Sequence, residues 1–403
     1  MALEYNEMVR QVDNSYRQAE LDKEIARTAY LPKVDGTATT TYLFKDLDVM
    51  GSSLQMRGMY MAGITLTQPI YAGGKIIAAN KLSKVGLESA GENLRKTRME
   101  VLSDADMAYW TYIAVKQKVK LLESYSVQMD SLYRQIQGAL SVGMTTNNDL
   151  LRVEARRSDI NYQLQKAKNG ADLCRLSLCH IINVDFSTSI VPTDTLIQAA
   201  APTEMSDDIS MRPEFRLLEK HVEAEKLQLK MIQSDFLPKV GLSAGYTYYG
   251  NIKLKGYADA GDGTMIPYTQ KIEDGRPIAM LSVSIPLIRW GEGVKKVKKG
   301  KIGLQNAQLD LKKNSRLLSI EARQAIQNIE DGYRMIQTAE VGLRQAEENL
   351  RVMRNRYSAQ MSVLTDLLDS QSQWQQSYSN WIEALTQYKI FETKYLLATG
   401  RLE

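Results

Sequence analysis

The chain has 403 residues, and its 51 Lys+Arg against 47 Asp+Glu leave a formal net charge of +4, with a mean hydropathy of −0.33. So even a balance disfavours a protein that coats nucleic acid, whose affinity would come from neutralising phosphates. The longest stretch without Asp, Glu, Lys or Arg, Gly58 to Gly74, is broken by Pro69 and four glycines, where a spanning helix would need ~20 apolar residues.

In chain order, the first 16 residues carry Glu4, Glu7, Arg10 and Asp13, which is not the basic and then apolar pattern of a signal segment. A helix is expected over Ala2–Tyr30. Val34, Gly36, Ala38, Thr40, Tyr42 and Phe44, then Tyr60, Ala62, Ile64 and Leu66, alternate with period two, so a β-hairpin follows. A long helix runs from Gly74 to Leu140, with Leu122, Tyr125, Met129, Leu132 and Ile136 at heptad spacing. After a break at Gly143–Asn148, a return helix covers Leu150–Ile182. Cys174 and Cys179 lie five apart on it, about 140° around the axis and ~8 Å apart, so two free thiols are expected, and with His180 they lack the partner pair a metal site would need. No metal or cofactor is expected.

A connector from Asn183 to Arg212, with Pro192 and Pro202, precedes a second passage through the same elements. Helix Met211–Phe236 leads to strands around Val240–Tyr248 and Ala279–Ile285, each about 10 to 12 residues, the length of a tilted membrane strand. Between them Gly250–Arg276, rich in Gly, Asp and Thr, reads as an exposed loop. The second long helix opens on Lys295, Lys296, Lys298, Lys299 and Lys301, a solvated coil face or a contact for anionic head groups. Leu343, Ala346, Leu350, Met353 and Tyr357 repeat the heptad seam. After a break at Gln360–Thr365, a last helix covers Val363–Gly400.

The second passage is a duplicate of the first. Ala29-Tyr-Leu-Pro-Lys-Val34 is answered by Asp235-Phe-Leu-Pro-Lys-Val240 at an offset of 206, and Pro69-Ile-Tyr-Ala-Gly-Gly74 by Pro286-Leu-Ile-Arg-Trp-Gly291 at 217. Asp149-Leu-Leu151 and Asp366-Leu-Leu368 are again 217 apart. The domains are therefore residues 1–182, a connector 183–210, and 211–403. The short helices of each repeat together match its long one, so they are expected end to end beside it, as a tall coiled-coil wall. Tyr42, Tyr60, Tyr71, Tyr246, Tyr248 and Tyr249 lie on or near the strands, as an interfacial aromatic girdle or as solvent-facing tyrosines. Four strands cannot close a barrel, because the smallest membrane barrels have about eight. Further copies of the chain must supply the rest.

These features resemble the TolC-like outer membrane factors of Gram-negative bacteria over essentially the whole length. The resemblance is carried by the repeat, by Leu31-Pro32-Lys33 and Leu237-Pro238-Lys239, by Gln68-Pro69-Ile70-Tyr71-Ala72-Gly73-Gly74, and by Tyr357 through Asp369. It implies a mainly α fold with β: a long antiparallel coiled-coil α-barrel plus a transmembrane β-barrel of four strands per chain, closed by trimerisation. It implies a homotrimer in the outer membrane with a long periplasmic extension, contacts to outer-membrane lipid, and a place in a tripartite efflux or type I secretion system. The partners would be a periplasmic adaptor and, through it, an inner-membrane transporter, with no nucleic acid.

The resemblance also implies a gate at the periplasmic helix tips. Asp366 and Asp369 occupy the Asp-x-x-Asp pattern that rings the constriction; Asp366 alone would also suit a helix N-terminus. In the first repeat the matching pair is Asp149 and Arg152, so a doubled acidic ring is not expected. Tyr357 and Asp149 match a tyrosine–aspartate link between neighbouring hairpins, whereas Ser362 stands where relatives carry a second linking arginine and Gln360 where they carry a glycine. The adaptor would meet Gly143, Met144, Thr145 and Thr146, and Gln360, Met361 and Ser362. An enzyme is not expected: His180 and His221 stand alone and no glycine-rich phosphate loop occurs. The competing reading is a soluble periplasmic coiled-coil scaffold or adaptor, which leaves the strands unexplained.

Overall fold

The computed structural model describes residues 2–49, 52–194, 197–259, 261 and 264–402. Its elements are α1 (Ala2–Tyr5), α2 (Glu7–Thr28), β1 (Lys33–Tyr42), β2 (Leu47–Val49), β3 (Ser52–Gln55), β4 (Arg57–Ala72), α3 (Lys75–Ser141), α4 (Asn147–Ile182), α5 (Pro213–Ser234), β5 (Lys239–Asp259), β6 (Met265–Ser284), α6 (Glu292–Ser358) and α7 (Leu364–Thr399). The duplication extends to whole elements. α2 and α5 have 22 residues each, α3 and α6 have 67, and α4 and α7 have 36. Each of the two 67-residue helices is ~100 Å long at 1.5 Å per residue.

The chain forms two compact units, each drawn from both repeats: Met1–Arg17, Ser89–Glu219 and Leu309–Glu403, and Gln18–Glu88 with Lys220–Gln308. In the first unit the heptad stripe of α3 is buried as its spacing requires. Tyr125, Met129, Leu132 and Ile136 pack with Val153 and Ile160 of α4, Leu350 of α6, and Leu364 and Leu367 of α7. A second cluster joins Ile113 of α3, Ile329 and Ile336 of α6, and Ile382, Leu385 and Tyr388 of α7 to Ile197 of the connector. Cys174 and Cys179 are both free.

The connector is held by tyrosines as well as by packing. Tyr112 donates to the Ile190 carbonyl at 3.1 Å, Tyr109 to Asp194 at 2.6 Å and Tyr388 to the Ala200 carbonyl at 2.7 Å. The Tyr395 hydroxyl accepts from the Ser206 amide at 3.0 Å. Residues 195 and 196 of the connector lie outside the described residues.

One boundary differs from the expectation for a structural reason. The opening helix is interrupted at Asn6, whose Oδ1 accepts from the amides of Met8 (2.9 Å) and Val9 (3.4 Å) and so caps α2. Its Nδ2 donates to the Ile181 carbonyl, and Asn183 donates to the Tyr5 carbonyl, which joins the start of this helix to the end of α4. In the second repeat the corresponding joint is tighter: a Cβ at Gly400 would lie 2.5 Å from the Met211 carbonyl.

In the second unit β1, β4, β5 and β6 pair in that order, all antiparallel. Among the described residues the strand count is six rather than four, because β2 and β3 continue the first hairpin past the irregular residues Leu43–Asp46 and Met56. β3 then lies on β5 through Ser53↔Lys255 and Gln55↔Lys253. The strands are also longer than the expected 10 to 12, at 16, 21 and 20 residues for β4, β5 and β6. Most of the segment expected to be a loop, Gly250–Arg276, is ladder: after a bulge at Tyr249/Ile252 the pairing resumes and runs to Asp259↔Met265. Composition misleads there, since a hydrogen-bonded ladder with an established partner tolerates Gly, Asp and Thr. Residues 260, 262 and 263 of that tip lie outside the described residues.

Register sorts the side chains onto two faces. Val34, Ala38, Leu66, Ile64, Ala62, Tyr60, Leu242, Ala244, Tyr246, Tyr248, Ala279, Leu281 and Val283 share one face. Asp35, Thr37, Thr39, Thr65, Thr67, Ser243, Thr247 and Ser282 share the other, with Met61, Ile278 and Met280 among them. Of the strand tyrosines, Tyr60 and Tyr248 stand together on the apolar face with ring centroids 6.1 Å apart, whereas Tyr249 is on the polar one. The apolar face is open to solvent in the single chain: Val34, Ile64, Tyr246, Leu281 and Val283 are all exposed.

Candidate functional site

The sequence places its candidate site at the tips of the two helical hairpins, both within the first unit. The two turns are built alike. Gly143 and Gln360 occupy the same left-handed position, φ 75° and 59°. In each turn the next amide reaches back five residues, Met144 to the Ala139 carbonyl at 2.8 Å and Met361 to the Arg356 carbonyl at 2.7 Å. That is the backbone closure of a helix C-terminus, and it leaves Met144 and Met361 exposed beside exposed Val142 and Val363. Gln360 thus keeps the glycine conformation without being glycine, at a cost of about 1 kcal/mol.

The helices after the turns start differently. Thr146 caps α4 in a reciprocal box: its hydroxyl accepts from the Asp149 amide at 3.2 Å, while the Asp149 carboxylate accepts from the Thr146 amide at 3.4 Å and from its hydroxyl at 2.8 Å. Thr145 adds a further hydroxyl at 3.0 Å. These bonds, the Thr146 hydroxyl first, hold the Asp149 carboxyl below the usual carboxylate range. In α7 the capping position is Val363, which offers no side-chain bond. Asp366, at the position of Asp149, therefore has no cap to bind it. Asp366 and Asp369 are exposed, three residues apart on the first turns of α7, while Leu364 and Leu367 bury the opposite side.

Tyr357, in the last turn of α6, packs against the buried cluster of Tyr125, Leu364 and Leu367. Burial pushes its hydroxyl above the ordinary tyrosine range, and the charge of Asp149 adds to the effect. The fold thus brings Tyr357 and Asp149 into one electrostatic neighbourhood, with Asp149 also tied into its own turn. Ser362 has a buried hydroxyl with no hydrogen-bond partner among the described residues.

Arg152 and Arg156 of α4, to which the sequence reading gave no linking role, join the two hairpins. Arg152 donates to Thr365, and Arg156 to Ser372 and Gln375 of α7. Arg157 pairs with Asp130 and stacks over the Tyr133 ring at 5.1 Å. The signal was present, since Arg152 and Arg156 fall four apart on one helix face. No group of three or more His, Cys, Asp or Glu able to hold a metal occurs among the described residues.

The model of the outer membrane efflux protein family matches residues 1–182 and 206–401. The chain belongs to that family. It is 22% identical over 289 residues to outer membrane efflux protein BepC of Brucella suis biovar 1. That match takes in 71% of the chain and spans 59% of the length of the relative. Among solved structures it superposes on CusC (TM-score 0.82, 13% identity, 99% of this chain and 90% of the other). It also superposes on VceC of Vibrio cholerae (0.82, 14%, 99% and 94%) and on the open state of the MtrE channel of Neisseria gonorrhoeae (0.78, 16%, 100% and 88%). The fold is that of these structures: mainly α, with β.

Proposed function

We propose that the chain is the outer-membrane channel of a tripartite efflux or type I secretion system, conducting substrates from a periplasmic tunnel to the exterior. The observation that carries this reading is the two-faced sheet. Its apolar face, exposed among the described residues, fits lipid, its Thr- and Ser-rich face fits a water-filled lumen, and its edges β1 and β6, without a second partner strand among those residues, can pair with further copies. Three copies would supply twelve long strands, with the helical hairpins extending into the periplasm and residues 183–210 forming a belt around them.

The gate of this channel is at the hairpin tips. Asp366 and Asp369, repeated by symmetry around a narrow pore, repel one another, attract cations and titrate as coupled groups. Tyr357 beside Asp149 links the two hairpins in the closed arrangement. The exposed turns Gly143–Thr146 and Gln360–Ser362 meet the hairpin of a periplasmic adaptor, which connects the channel to an inner-membrane transporter. A duct of this kind needs no catalytic group and no cofactor.

Two measurements test this. Light scattering after size exclusion should find a species that requires detergent and has three times the 45.5 kDa chain mass; a soluble species of one or two chains would overturn the channel reading. In planar bilayers Asp366→Ala with Asp369→Ala should raise single-channel conductance, and an unchanged or lower value would remove these carboxylates from the gate.

A further inference from the structure

The two copies of the repeat meet inside one chain where β4 pairs with β5. We infer that the same seam recurs between chains, with β6 of one copy pairing β1 of the next in a register that the internal duplication dictates. This rests on the assembly of copies proposed above. It adds the residue-by-residue seam.

The two hairpins superpose in register. Residues of β1 carry over to β5 at an offset of 206, and those of β4 to β6 at 217. The pairs Lys33↔Thr67 and Val34↔Leu66 of the first hairpin become Lys239↔Ser284 and Val240↔Val283 of the second, which are the pairs observed. The β4–β5 seam can therefore serve as a template. Leu66↔Ala244, Thr65↔Gly245, Ile64↔Tyr246, Gly63↔Thr247 and Ala62↔Tyr248 translate to Val283↔Ala38, Ser282↔Thr39, Leu281↔Thr40, Met280↔Thr41 and Ala279↔Tyr42 of the next copy.

The translated seam is chemically consistent. Val283, Leu281 and Ala279 meet Ala38, Thr40 and Tyr42 on the apolar face, and Ser282 meets Thr39 on the polar face. A slip of one residue would turn one strand over and set leucine and valine of β6 among the threonines of β1. Among the described residues β1 pairs only with β4 and β6 only with β5, and all ten residues of β1 are exposed, as are Leu281 and Val283.

The template also says where the seam departs from its model. Carried further, it would set Arg289 opposite Lys33, a repulsive pair. The residue after that is Trp290, which corresponds to Gly73. Gly73 has φ +63° and a Cβ there would lie 2.6 Å from the Ser234 carbonyl and 2.9 Å from Leu237, so only glycine fits the internal seam. Trp290 holds the same left-handed backbone, φ 47°, and is 93% exposed. Ser234 and Leu237 correspond to Thr28 and Leu31, so the seam between copies must open beyond Ile285 to admit a Cβ at Trp290.

Cysteine pairs read the register directly, because opposed strand residues have Cα separations of ~4.5–5.5 Å, within disulfide range. Thr39→Cys with Ser282→Cys should give oxidised ladders of two and three chains on a non-reducing gel, with each single variant as background. Thr41→Cys with Ser282→Cys, which shares the face but is two residues out of register, should give little. Should the first variant fail to fold, Met280→Cys with Thr41→Cys reads the same register. Equal cross-linking of the shifted pair overturns the register. So does its absence from both in-register pairs while light scattering reports three chains. A single-chain species in detergent overturns the assembly itself, and so separates that failure from a wrong register.

Discussion

Replacing Thr146 by Ala takes the cap from α4 while leaving the turn backbone and the packing of Val153 and Ile160 in place. The substitution removes the hydroxyl that accepts from the Asp149 amide and donates to its carboxylate, leaving the Thr146 amide at 3.4 Å and the Thr145 hydroxyl at 3.0 Å as its partners. Loss of such a cap costs about 1 kcal/mol, which is about a fivefold shift in a local opening equilibrium at 25 °C. Amide exchange of residues 147–150 should therefore quicken about fivefold at neutral pH, while the start of α7 is unaffected. The effect depends on an ionised Asp149. Its carboxyl titrates below the usual carboxylate range in the folded chain, so the stabilisation is complete above the ordinary carboxylate value of about 3.9 and fades as pH falls through the lowered folded value. The reciprocal change, Val363→Thr, should give α7 the cap it lacks and slow exchange at residues 364–367 by a similar factor. Unchanged exchange in Thr146→Ala at pH 7, or an equal change in α7, would refute the assignment of the box as the element that secures this turn.

The turn positions predict effects of opposite sign. Gly143→Ala places a side chain at φ 75° and should lower stability by about 1 kcal/mol, seen as a lower thermal midpoint in detergent. Gln360→Gly relieves the same conformation and should raise the midpoint, less the entropy glycine adds to the unfolded chain. Gly73→Ala combines a left-handed backbone with a Cβ 2.6 Å from a carbonyl oxygen, so it should lower the midpoint more than Gly143→Ala does. A ranking with Gly143→Ala as the worse variant would contradict the packing described around Gly73.

The helical part of the fold was legible because long heptad runs state their own period, and because two copies of each element fix the boundaries against one another. Motifs of six residues gave the offsets 206 and 217, and 22-, 67- and 36-residue helices obey them. The extension of β5 and β6 was not legible. Gly250–Arg276 has the composition of a loop, and what makes it a strand is the partner strand, which lies outside any local window. The break at Asn6 was hidden for a related reason: the side chain that ends one helix starts the next, and the hydrophobic period does not register the interruption. At the tips, the residues of the turns were readable one by one. The contrast between a capped Asp149 and an uncapped Asp366 emerges only when Thr146 and Val363 are seen to hold the same position.

The equal lengths of the paired helices bear on how such a chain can evolve or be redesigned. A seven-residue deletion in α3 alone would displace its turn by ~10 Å and pull Tyr125 and Met129 away from Val153 and Ile160. To keep every seam in phase the cut must be made in α3, α4, α6 and α7 together, four coordinated events in one gene. The ladder at the far end of β5 and β6 is under no such lock, since paired residues can be added or removed two at a time within one hairpin. Lineages of this architecture should therefore diverge in the reach of that hairpin while conserving helix length as a single quantised unit, and a designer wanting a shorter conduit would need to treat the heptad, counted four times over, as the smallest permissible step.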